Sequence, residues 1–569
     1  MIESSLIVAR RPRPNRRRTR RRRLLKRGIP IVALAAAAFA AGALLATRPG
    51  RAERHLVTQY VTAWEHNDYP KMYQLLDSSS RRHTSEARFA SELADSASTA
   101  TLTSLRPINV GSATGSSIAV KMVVHTKIWG TLHERLTVPF AGSGSGARVQ
   151  LHPWLLFPGL RPGEHLRRAM RLAPRGTLLA SDGTPLAEGP DRASPIPDVA
   201  GQIVGTLQAI PKADRGVYQA AGYPPNAKVG SDGLERVFES QLAGTPGGKL
   251  LAGHRVLASA APVKAQPVKT TISPSIERAA VAAMGGQYAG ITVMNPRTGA
   301  VLALSGIAYS ALQPPGSTMK IITATGALQA GITTLSTTYP ISTSADVGGY
   351  TLENSDGEAC GGTLLNAFAV SCNSVFAPLG VKLGARRLVA TARRFGFDQA
   401  PSIPGAAEST IPSASKIGGA TSVGSSAIGQ GLVQTTPFEM ADVAATIAMG
   451  GKRPIPTLDA TAKPQFVRVT TPRVAHEVQQ MMIAVIDEGT GTSAAIPGMV
   501  VAGKTGTAEL TDTTAPGANT AQNTDAWFVA YAPVPHPKYV VGALFPNQGF
   551  GGAAAAPPVR DILESALSH

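Results

Sequence analysis

A serine and a lysine three residues apart, Ser317 and Lys320, form the pair in this chain whose types and spacing best suit catalysis. They follow Pro314-Pro315-Gly316 and open an apolar stretch with helical spacing, so both side chains are expected on one face of a helix start. There the lysine amine can take the proton of the serine hydroxyl, which is otherwise a poor nucleophile. The helix N-terminus adds unpaired N–H groups where negative charge develops. The pair therefore predicts acyl transfer through a covalent serine ester.

The order of two later motifs distinguishes this pair from a chance occurrence of the same spacing. A second Ser-x-x-Lys lies at Ser413 and Lys416, but its neighbours are typical of a loop and no Ser-x-Asn follows it. After Ser317 come a Ser-x-Asn motif and a Lys-Thr-Gly motif, at Ser371-Cys372-Asn373 and Lys504-Thr505-Gly506-Thr507. The three motifs in this order are typical of serine β-lactamases and penicillin-binding proteins.

Beyond these motifs, the chain resembles class B penicillin-binding proteins in further blocks that follow one another in family order. They are residues 173–179, 182–187, 233–235, 242–247, 427–431, 489–492 and 527–533. Residues 154–160 resemble, more loosely, the exit of the N-terminal domain of methicillin-resistance-type members, a cone-shaped domain like nuclear transport factor. The chain departs from the family pattern around a scaffold helix, where Ser273 and Ile276-Glu277 replace Asp and Leu-Gln.

The distribution of charge predicts a membrane anchor. Of the net charge of +19, much lies in residues 1–27, which hold twelve Lys/Arg against one acidic residue. Residues 28–47 carry no charge and are long enough for one membrane-spanning helix. This span is long for a cleaved secretory signal, the rival interpretation. We therefore expect a single-pass plasma-membrane protein with a cytoplasmic N-terminus that contacts anionic lipid, and an extracytoplasmic remainder. No recognition motif accompanies the charge, so nucleic acid is not an expected partner.

Three domains are expected outside the membrane, in an α+β fold class. Residues 52–152 read as a small α+β domain, with a helical pattern over 54–76 and strands between 118 and 140. Residues 156–270 are rich in Gly and Pro, and resemble a β-rich pedestal, or dimerisation, domain. Residues 271–569 are predicted to be a transpeptidase domain, an antiparallel sheet with helices on both faces. Its sheet is expected to include a hairpin over 291–304 and strands over 499–507, 526–531 and 539–544.

The two cysteines, Cys360 and Cys372, are the only ones in the chain. On the predicted topology they lie in an oxidising compartment, and their spacing permits a disulfide without requiring one. Neither belongs to a cluster with zinc-ligand spacing, so neither a metal nor another cofactor is expected.

The family resemblance implies a D,D-transpeptidase that cross-links peptidoglycan stem peptides, releases D-Ala and binds penicillin and other β-lactams covalently. Ser317 would be the nucleophile and Lys320 its base, with Ser371 and Lys504 passing the proton to the leaving amine. Asn373, Thr505 and Thr507 would contact the donor peptide, and backbone N–H groups of Ser317 and Thr507 would form the oxyanion hole. Gly506 would leave room for that peptide on the strand. The implied partner is a membrane glycosyltransferase of the shape, elongation, division and sporulation family.

Four other functions fit the sequence less well. Residues 498–505 satisfy the Gly-x-x-x-x-Gly-Lys-Thr phosphate-loop pattern but read as strand rather than as a turn before a helix. A class A β-lactamase needs an acid three residues before Leu365-Asn366, where Gly362 stands, although a hydrolase, carboxypeptidase included, stays an alternative. A non-enzymatic scaffold is disfavoured by the intact motifs. A bifunctional class A enzyme is disfavoured, because the hundred residues between the membrane and the pedestal are too few for a glycosyltransferase domain.

The motif residues leave several properties open. They are common to enzymes of division, elongation and sporulation, and they specify neither the third residue of the stem peptide nor the acceptor bridge. The N-terminal domain either lowers β-lactam affinity, as in antibiotic-resistance-type relatives, or holds the catalytic domain away from the membrane. Oligomeric state is equally undetermined by the sequence.

Overall fold

The computed structural model of the chain describes residues 50–510 and 523–568, which form two compact units. The first unit comprises residues 50–171, 215–224 and 246–261, and the second comprises 172–214, 225–245 and 262–568. The predicted basic tail (1–27) and membrane helix (28–47) lie outside the described residues. Within residues 50–510 and 523–568, no helix combines the length and the apolar character that crossing a membrane requires.

The first unit begins with helices and continues into an antiparallel sheet around its own apolar core. Its first elements are α1 (Arg51–Glu65), α2 (Tyr69–Gln74), α3 (Ser78–His83), α4 (Glu86–Thr99), β1 (Leu102–Thr114), β2 (Ser117–Thr126), β3 (Gly130–Ala141), β4 (Arg148–Val149) and β5 (Leu166–Arg171). Strands β1 to β4 pair in chain order, each antiparallel to the next. One face of this sheet packs on the apolar core and the other faces solvent, because β2 alternates buried and more exposed side chains over most of its length.

Two details of this unit differ from the expected pattern. The helical stretch is interrupted after Glu65, where Asn67 takes a left-handed φ of 55°, and α2 begins after the N-cap Asp68. The sequence did not predict strand β1. Only one of its thirteen residues is buried, and three register shifts interrupt its pairing with β2. A strand with so little apolar alternation gives no clear period-two signal.

The middle of the chain contributes short elements to both units. They are β6 (Leu178–Leu179), β7 (Pro185–Ala187), α5 (Pro197–Ile203), β8 (Leu207–Ala209), α6 (Arg215–Ala220), β9 (Lys228–Gly230), α7 (Gly233–Val237), α8 (Glu239–Leu242), β10 (Gly247–Ala252), β11 (Arg255–Ala260) and β12 (Val268–Lys269). In the first unit, β10 pairs between β11 and β5. In the second unit, β6 lies between β12 and β7, and β8 pairs with β9.

The rest of the second unit is a sheet with helices packed around it. Its elements are α9 (Pro274–Ala283), β13 (Gly290–Asn295), β14 (Ala300–Gly306), α10 (Lys320–Gln329), β15 (Thr338–Ser342), β16 (Ser344–Asp346), β17 (Thr351–Glu353), β18 (Cys360–Thr363), α11 (Leu364–Ala369), α12 (Asn373–Leu383), α13 (Ala385–Phe395), α14 (Ala420–Ala427), α15 (Pro437–Ala448), β19 (Lys452–Pro454), β20 (Phe466–Arg468), α16 (Pro472–Asp487), β21 (Ala502–Glu509), β22 (Thr524–Ala532), β23 (Tyr539–Phe545), α17 (Gly551–Ala554) and α18 (Ala556–Leu567).

The main sheet has five antiparallel strands in the order β14-β13-β23-β22-β21. All nine residues of β22 are buried, so both faces of the sheet are covered. The expected hairpin and strands are all present, with the strand expected from residue 499 beginning instead at Ala502. Strand β21 is an edge strand of this sheet within the described residues, which leaves its outer backbone edge available for an extended ligand.

Glu277, one of the positions that depart from the family pattern, is fully buried in α9. Its carboxylate accepts hydrogen bonds from the Leu304 backbone N–H and the Ser305 hydroxyl, which attach the helix to β14. Burial raises the pKa of Glu277. Its role is therefore to join scaffold elements.

Candidate active site

Ser317 and Lys320 lie at the start of a helix that is buried on all sides. Ser317 belongs to a 3₁₀ turn, Gly316–Met319, and Lys320 is the first residue of α10. The next eight residues of α10 are all buried, because they are small or apolar and the helix runs through the core. The Lys320 Nζ lies 2.9 Å from the Ser317 Oγ. A core helix therefore fixes this pair in space.

The turn that carries Ser317 packs backbone to backbone on strand β21. Gly316 has a left-handed φ of 51°, and a Cβ there would lie 2.6 Å from the carbonyl oxygen of Thr507. A Cβ on Gly506 would lie 2.7 Å from the carbonyl oxygen of Pro315. Glycine is required at both positions because a side chain would push the two elements apart. The contact brings the Ser-x-x-Lys and Lys-Thr-Gly motifs together.

This geometry corrects the reason expected for Gly506. The missing side chain would point at Pro315, Thr318 and Trp527 in the protein interior, and not at an extended peptide on the outer edge of β21. Gly506 is thus needed for packing of the strand against the Ser317 turn.

The Ser-x-Asn motif forms the turn between α11 and α12. Ser371 has a left-handed φ of 61°, a conformation that costs a non-glycine residue about 1–3 kcal/mol and persists only where contacts with the surroundings offset that cost. The Ser371 carbonyl oxygen lies 2.6 Å from the Lys320 Nζ, and the Asn373 Oδ1 lies 2.7 Å from the same nitrogen. Lys320 therefore contacts both ends of this motif as well as Ser317.

Lys504 approaches the same group from the sheet. Its Nζ lies 2.9 Å from the Ser371 Oγ and 3.0 Å from the carbonyl oxygen of Thr505. The Ser371 Oγ also lies 3.3 Å from the Lys320 Nζ. The Ser371 hydroxyl thus bridges the two lysines, and a chain of polar groups runs from Ser317 to Lys504.

Both lysines are fully buried, and neither forms an ion pair with a carboxylate in the described part of the chain. Burial lowers the pKa of Lys320 well below its usual value, and the nearby positive charge of Lys504 lowers it further. Burial also lowers the pKa of Lys504, to about 7. Each ammonium lies over an aromatic ring, Lys320 over Phe376 and Lys504 over Phe368. The ring contacts favour the protonated form, but desolvation outweighs them, so both lysines lose their protons more readily than an exposed lysine.

A cleft of about 410 Å³ opens above these groups. Four sequence-predicted residues line it, namely Ser317, Ser371, Thr505 and Thr507. Lys320 and Lys504 are buried beneath them, and these lysines and the partly exposed Asn373 are joined to the lining residues by the hydrogen bonds already described. All the predicted site residues except Gly506 thus contact one another or line this cleft.

Several cleft residues were not among those predicted. They are Asn354, Ser355, Glu358, Cys360, Val370, Thr490, Thr492, Ser493, Phe550, Gly552 and Ala553. The Thr490 and Thr505 hydroxyls lie 2.5 Å apart and are hydrogen-bonded. Thr490 could have been identified from the sequence, because it belongs to the 489–492 block that resembles the family. The segment around Asn354 carries no comparable motif.

Cys360 and Cys372 form a disulfide that joins β18 to the Ser-x-Asn turn. The sequence left this pairing open, and the structure has their Cα atoms 5.7 Å apart, within the range a disulfide spans.

The two competing motifs do not form comparable sites. Lys504 and Thr505, which complete the phosphate-loop pattern, lie inside strand β21, so no helix N-terminus follows to hold a phosphate. Ser413 and Lys416 lie in a loop with Lys416 exposed. Both patterns are therefore coincidences of spacing.

Two family descriptions match this chain. Residues 289–564 match the penicillin-binding protein transpeptidase domain, and residues 182–255 match the penicillin-binding protein dimerisation domain. The first range contains all the site residues described above.

Named relatives and solved structures agree with these matches. The chain is 34% identical over 404 residues to the peptidoglycan D,D-transpeptidase PbpA of Mycolicibacterium smegmatis, covering 59% of this chain and 80% of the relative. It is 32% identical to PbpA of Mycobacterium tuberculosis, covering 53% and 72%. The crystal structure of PBPA from M. tuberculosis aligns with a TM-score of 0.56 and 27% identity over 70% of this chain and 99% of that one. Its penicillin G acyl-enzyme complex aligns with a TM-score of 0.55 and 27% identity, over 69% and 99%.

Proposed function

The chain belongs to the penicillin-binding protein transpeptidase family, with the class B arrangement of a dimerisation domain and a transpeptidase domain, and we propose that it is a peptidoglycan D,D-transpeptidase acting through Ser317. The substrate is a stem peptide ending in D-Ala-D-Ala, and β-lactams acylate the same serine. One observation carries the assignment of the nucleophile. The Lys320 Nζ, fully buried and with a lowered pKa, lies 2.9 Å from the Ser317 Oγ in a cleft shared with Ser371 and Thr507.

The contacts of Lys320 explain how it serves as a base. A neutral amine has two N–H donors and one lone pair. The Ser371 carbonyl oxygen and the Asn373 Oδ1 lie closest to the Nζ and accept the two N–H bonds. The lone pair is then left to accept the hydrogen bond of the Ser317 hydroxyl. Attack of the Ser317 Oγ on the donor carbonyl transfers that proton to Lys320.

The developing negative charge on the carbonyl oxygen needs donors near Ser317 and Thr507. We assign this role to the backbone N–H groups of these two residues, since the Gly316 turn packs directly on Thr507. One such donor is worth about 3 kcal/mol in related acyl transfers.

The bridge made by Ser371 provides a route for the proton to the leaving D-Ala amine. The Ser371 hydroxyl gives its proton to that amine and is reprotonated from Lys320, with Lys504 holding its oxygen. The ester bond to Ser317 forms, the peptide bond to the last D-Ala breaks, and D-Ala departs as an amine.

The donor is proposed to lie along the outer edge of β21 as an added strand. Its C-terminal carboxylate then faces the hydroxyls of Thr505 and Thr507 and the positive potential of Lys504. Asn373 contacts the peptide backbone from the opposite wall. In the second step an amine of a neighbouring stem peptide attacks the ester, which makes the cross-link and frees Ser317.

The site works outside the cytoplasm, where peptidoglycan is assembled. We propose that residues 28–47 anchor the chain in the plasma membrane, supported by their lack of charge and by the basic residues before them. Glycan chains then come from a membrane glycosyltransferase of the shape, elongation, division and sporulation family, because the matched domains are a transpeptidase and a dimerisation domain and neither is a glycosyltransferase. The domains are proposed to be residues 52–152, 156–270 and 271–569.

The test uses the full chain purified in detergent, a stem pentapeptide donor ending in D-Ala-D-Ala, and an acceptor peptide with a free side-chain amine. Release of D-Ala together with a cross-linked product, both absent with Ser317→Ala, is expected. D-Ala release with hydrolysed donor and no cross-link at any acceptor concentration would instead identify a carboxypeptidase. Release that persists in Ser317→Ala would overturn the assignment of the nucleophile.

A further inference from the structure

The Ser-x-Asn turn is held from one side by the segment Glu353 to Cys360, here called the 353–360 segment. The Asn373 Nδ2 donates to the carbonyl oxygen of Glu353 at 3.2 Å. The Cys360–Cys372 disulfide is a covalent connection to the middle residue of the motif. Between them, the Asn354 side chain reaches the residue directly after the motif, Ser374.

Asn354 is only 6% exposed, and its amide is fully used in hydrogen bonds. Its Oδ1 accepts the backbone N–H of Ser374 at 2.8 Å. Its Nδ2 donates to the carbonyl oxygens of Ser342 and Glu358, at 2.8 Å each. One side chain therefore joins the end of β15, the 353–360 segment and the first turn of α12.

Helix α12 depends on this contact at its N-terminus. Its N-cap residue is Cys372, whose side chain makes no capping hydrogen bond because it is in the disulfide. The backbone N–H of Ser374 would otherwise lack an intrahelical acceptor, as the first N–H groups of any helix do. Asn354 supplies from another element the acceptor that a capping side chain normally gives.

The turn held in this way orients the catalytic base. Its Ser371 carbonyl oxygen and Asn373 Oδ1 are the acceptors for the two N–H bonds of Lys320. Ser371 is also in the left-handed region, a conformation that its surroundings must maintain. If the turn relaxed, both acceptors would move and the Lys320 lone pair would no longer point at Ser317.

We infer that Asn354 is a positioning residue for acylation, which acts with the Cys360–Cys372 disulfide to hold the Ser-x-Asn turn against Lys320. This inference rests on the proposed function. Asn354 lines the rim of the cleft, but its amide is committed to protein groups, so its effect reaches the substrate through Ser371 and Asn373.

The test compares Asn354→Ala with Thr271→Val in the full chain in detergent. Thr271 is a matched control, since its buried hydroxyl also joins separate segments: it donates to the carbonyl oxygen of Val301 and lies 3.2 Å from that of Thr457, away from the cleft. Stopped-flow measurements with a fluorescent penicillin separate the dissociation constant of the non-covalent complex from the limiting acylation rate. Each protein is assayed at a temperature where its melting curve shows it fully folded.

For Asn354→Ala, we expect the limiting acylation rate to fall at least tenfold while the dissociation constant changes by less than about threefold, since the Thr505–Thr507 side of the cleft is untouched. Thr271→Val should keep both constants, even if its melting temperature falls as far. A limiting rate for Asn354→Ala within twofold of wild type would overturn the inference, as would an equal loss in Thr271→Val.

A second variant covers the case in which Asn354→Ala does not fold. Cys360→Ala removes the other attachment of the turn without changing a motif residue, and it should lower the limiting rate by several-fold with the same small effect on binding. An unchanged rate would contradict the inference. Wild-type protein that forms neither a penicillin adduct nor a cross-linked product from the D-Ala-D-Ala donor would refute the proposed function itself, whereas normal wild-type labelling with unaffected variants refutes only the role of Asn354.

Discussion

Two groups of buried charges in the second unit differ in how their charges are compensated. Around Glu235, charges are paired: its carboxylate accepts from Arg175 and Arg192, and Arg175 also bonds Glu239. In the cleft, Lys320 and Lys504 are fully buried, yet among the described residues hydroxyls, carbonyl oxygens and aromatic rings surround them in place of carboxylates. We call the first the paired cluster and the second the lysine pair.

The difference shows what each arrangement is for. In the paired cluster each charge offsets the desolvation cost of its neighbour, and the ion pairs hold α7 and α8 to the preceding chain. In the lysine pair, no carboxylate of the described residues offsets the desolvation cost of the two ammonium groups. This cost appears as lowered pKa values of both lysines. Charges without counterions are costly to the fold, and here they provide a base. Removing a member of each group should therefore have opposite effects on stability and activity.

The largest effect is expected for Lys320→Met. Loss of the general base should slow acylation by about 10²–10⁴-fold. Removing an amine that folding must desolvate and deprotonate should also raise the melting temperature, since methionine fills similar space without that cost. Penicillin labelling and thermal unfolding at pH 7 measure the two effects. A Lys320→Met protein that is less stable than wild type would contradict the view that the lysine pair is held at a cost.

The reverse result is expected for Glu235→Ala in the paired cluster. Arg175 and Arg192 would remain buried beside an empty site, which should lower the free energy of unfolding by about 3–5 kcal/mol. Chemical unfolding gives this value, and acylation is measured well below the melting temperature. The limiting acylation rate should stay within about threefold of wild type, and a large loss in protein shown to be folded would mean that the two groups are coupled.

The lysine pair should also make stability depend on pH. The pKa of Lys504 is about 7 in the folded state against 10.5 in the unfolded chain. Between these values the unfolded state binds a proton that the folded state has released, so the free energy of unfolding rises with pH. Below pH 7 both states are protonated and this contribution to the slope vanishes.

Lys504→Met isolates this contribution. Urea unfolding between pH 7 and 9 should give a slope lower than that of wild type by up to about 1.4 kcal/mol per pH unit. Parallel slopes for wild type and variant would show that Lys504 keeps an ordinary pKa in the folded protein.

A smaller effect is expected at the rim of the cleft. Thr490→Val removes the hydroxyl that bonds Thr505, which is worth about 1 kcal/mol. Donor binding should weaken by about threefold to tenfold, with the limiting acylation rate unchanged, because Lys320 and Ser317 are not touched. Steady-state kinetics with a D-Ala thioester donor distinguish the two constants, and a rate effect larger than the binding effect would place Thr490 closer to the chemistry.

The catalytic residues of the cleft were more predictable from sequence than the contacts that hold those residues in place. Ser317, Lys320 and Lys504 could be selected because their types and order are rare in combination. The covered sheet followed from apolar stretches such as β22. The disulfide could not be decided, since spacing of two cysteines leaves their Cα separation unknown.

What the sequence did not reveal depends on contacts between distant segments. Asn354 lies between two short strands that show no period-two pattern, and nothing in the sequence around it marks a buried amide that bonds Ser342, Glu358 and Ser374. The role predicted for Gly506, leaving room for the donor peptide, was wrong. The sequence shows that this position has no side chain, but it does not show which neighbouring residues would clash with one. Strand β1 lacked the apolar alternation by which strands are recognised.

The most direct test of the central claim is to map the penicillin adduct. The full chain is incubated with penicillin, and the intact mass and the digested peptides are followed over hours, with Ser317→Ala alongside. We expect a single adduct on Ser317 that persists for hours and is absent from the variant. An adduct on another residue, or one that forms equally in Ser317→Ala, would contradict it.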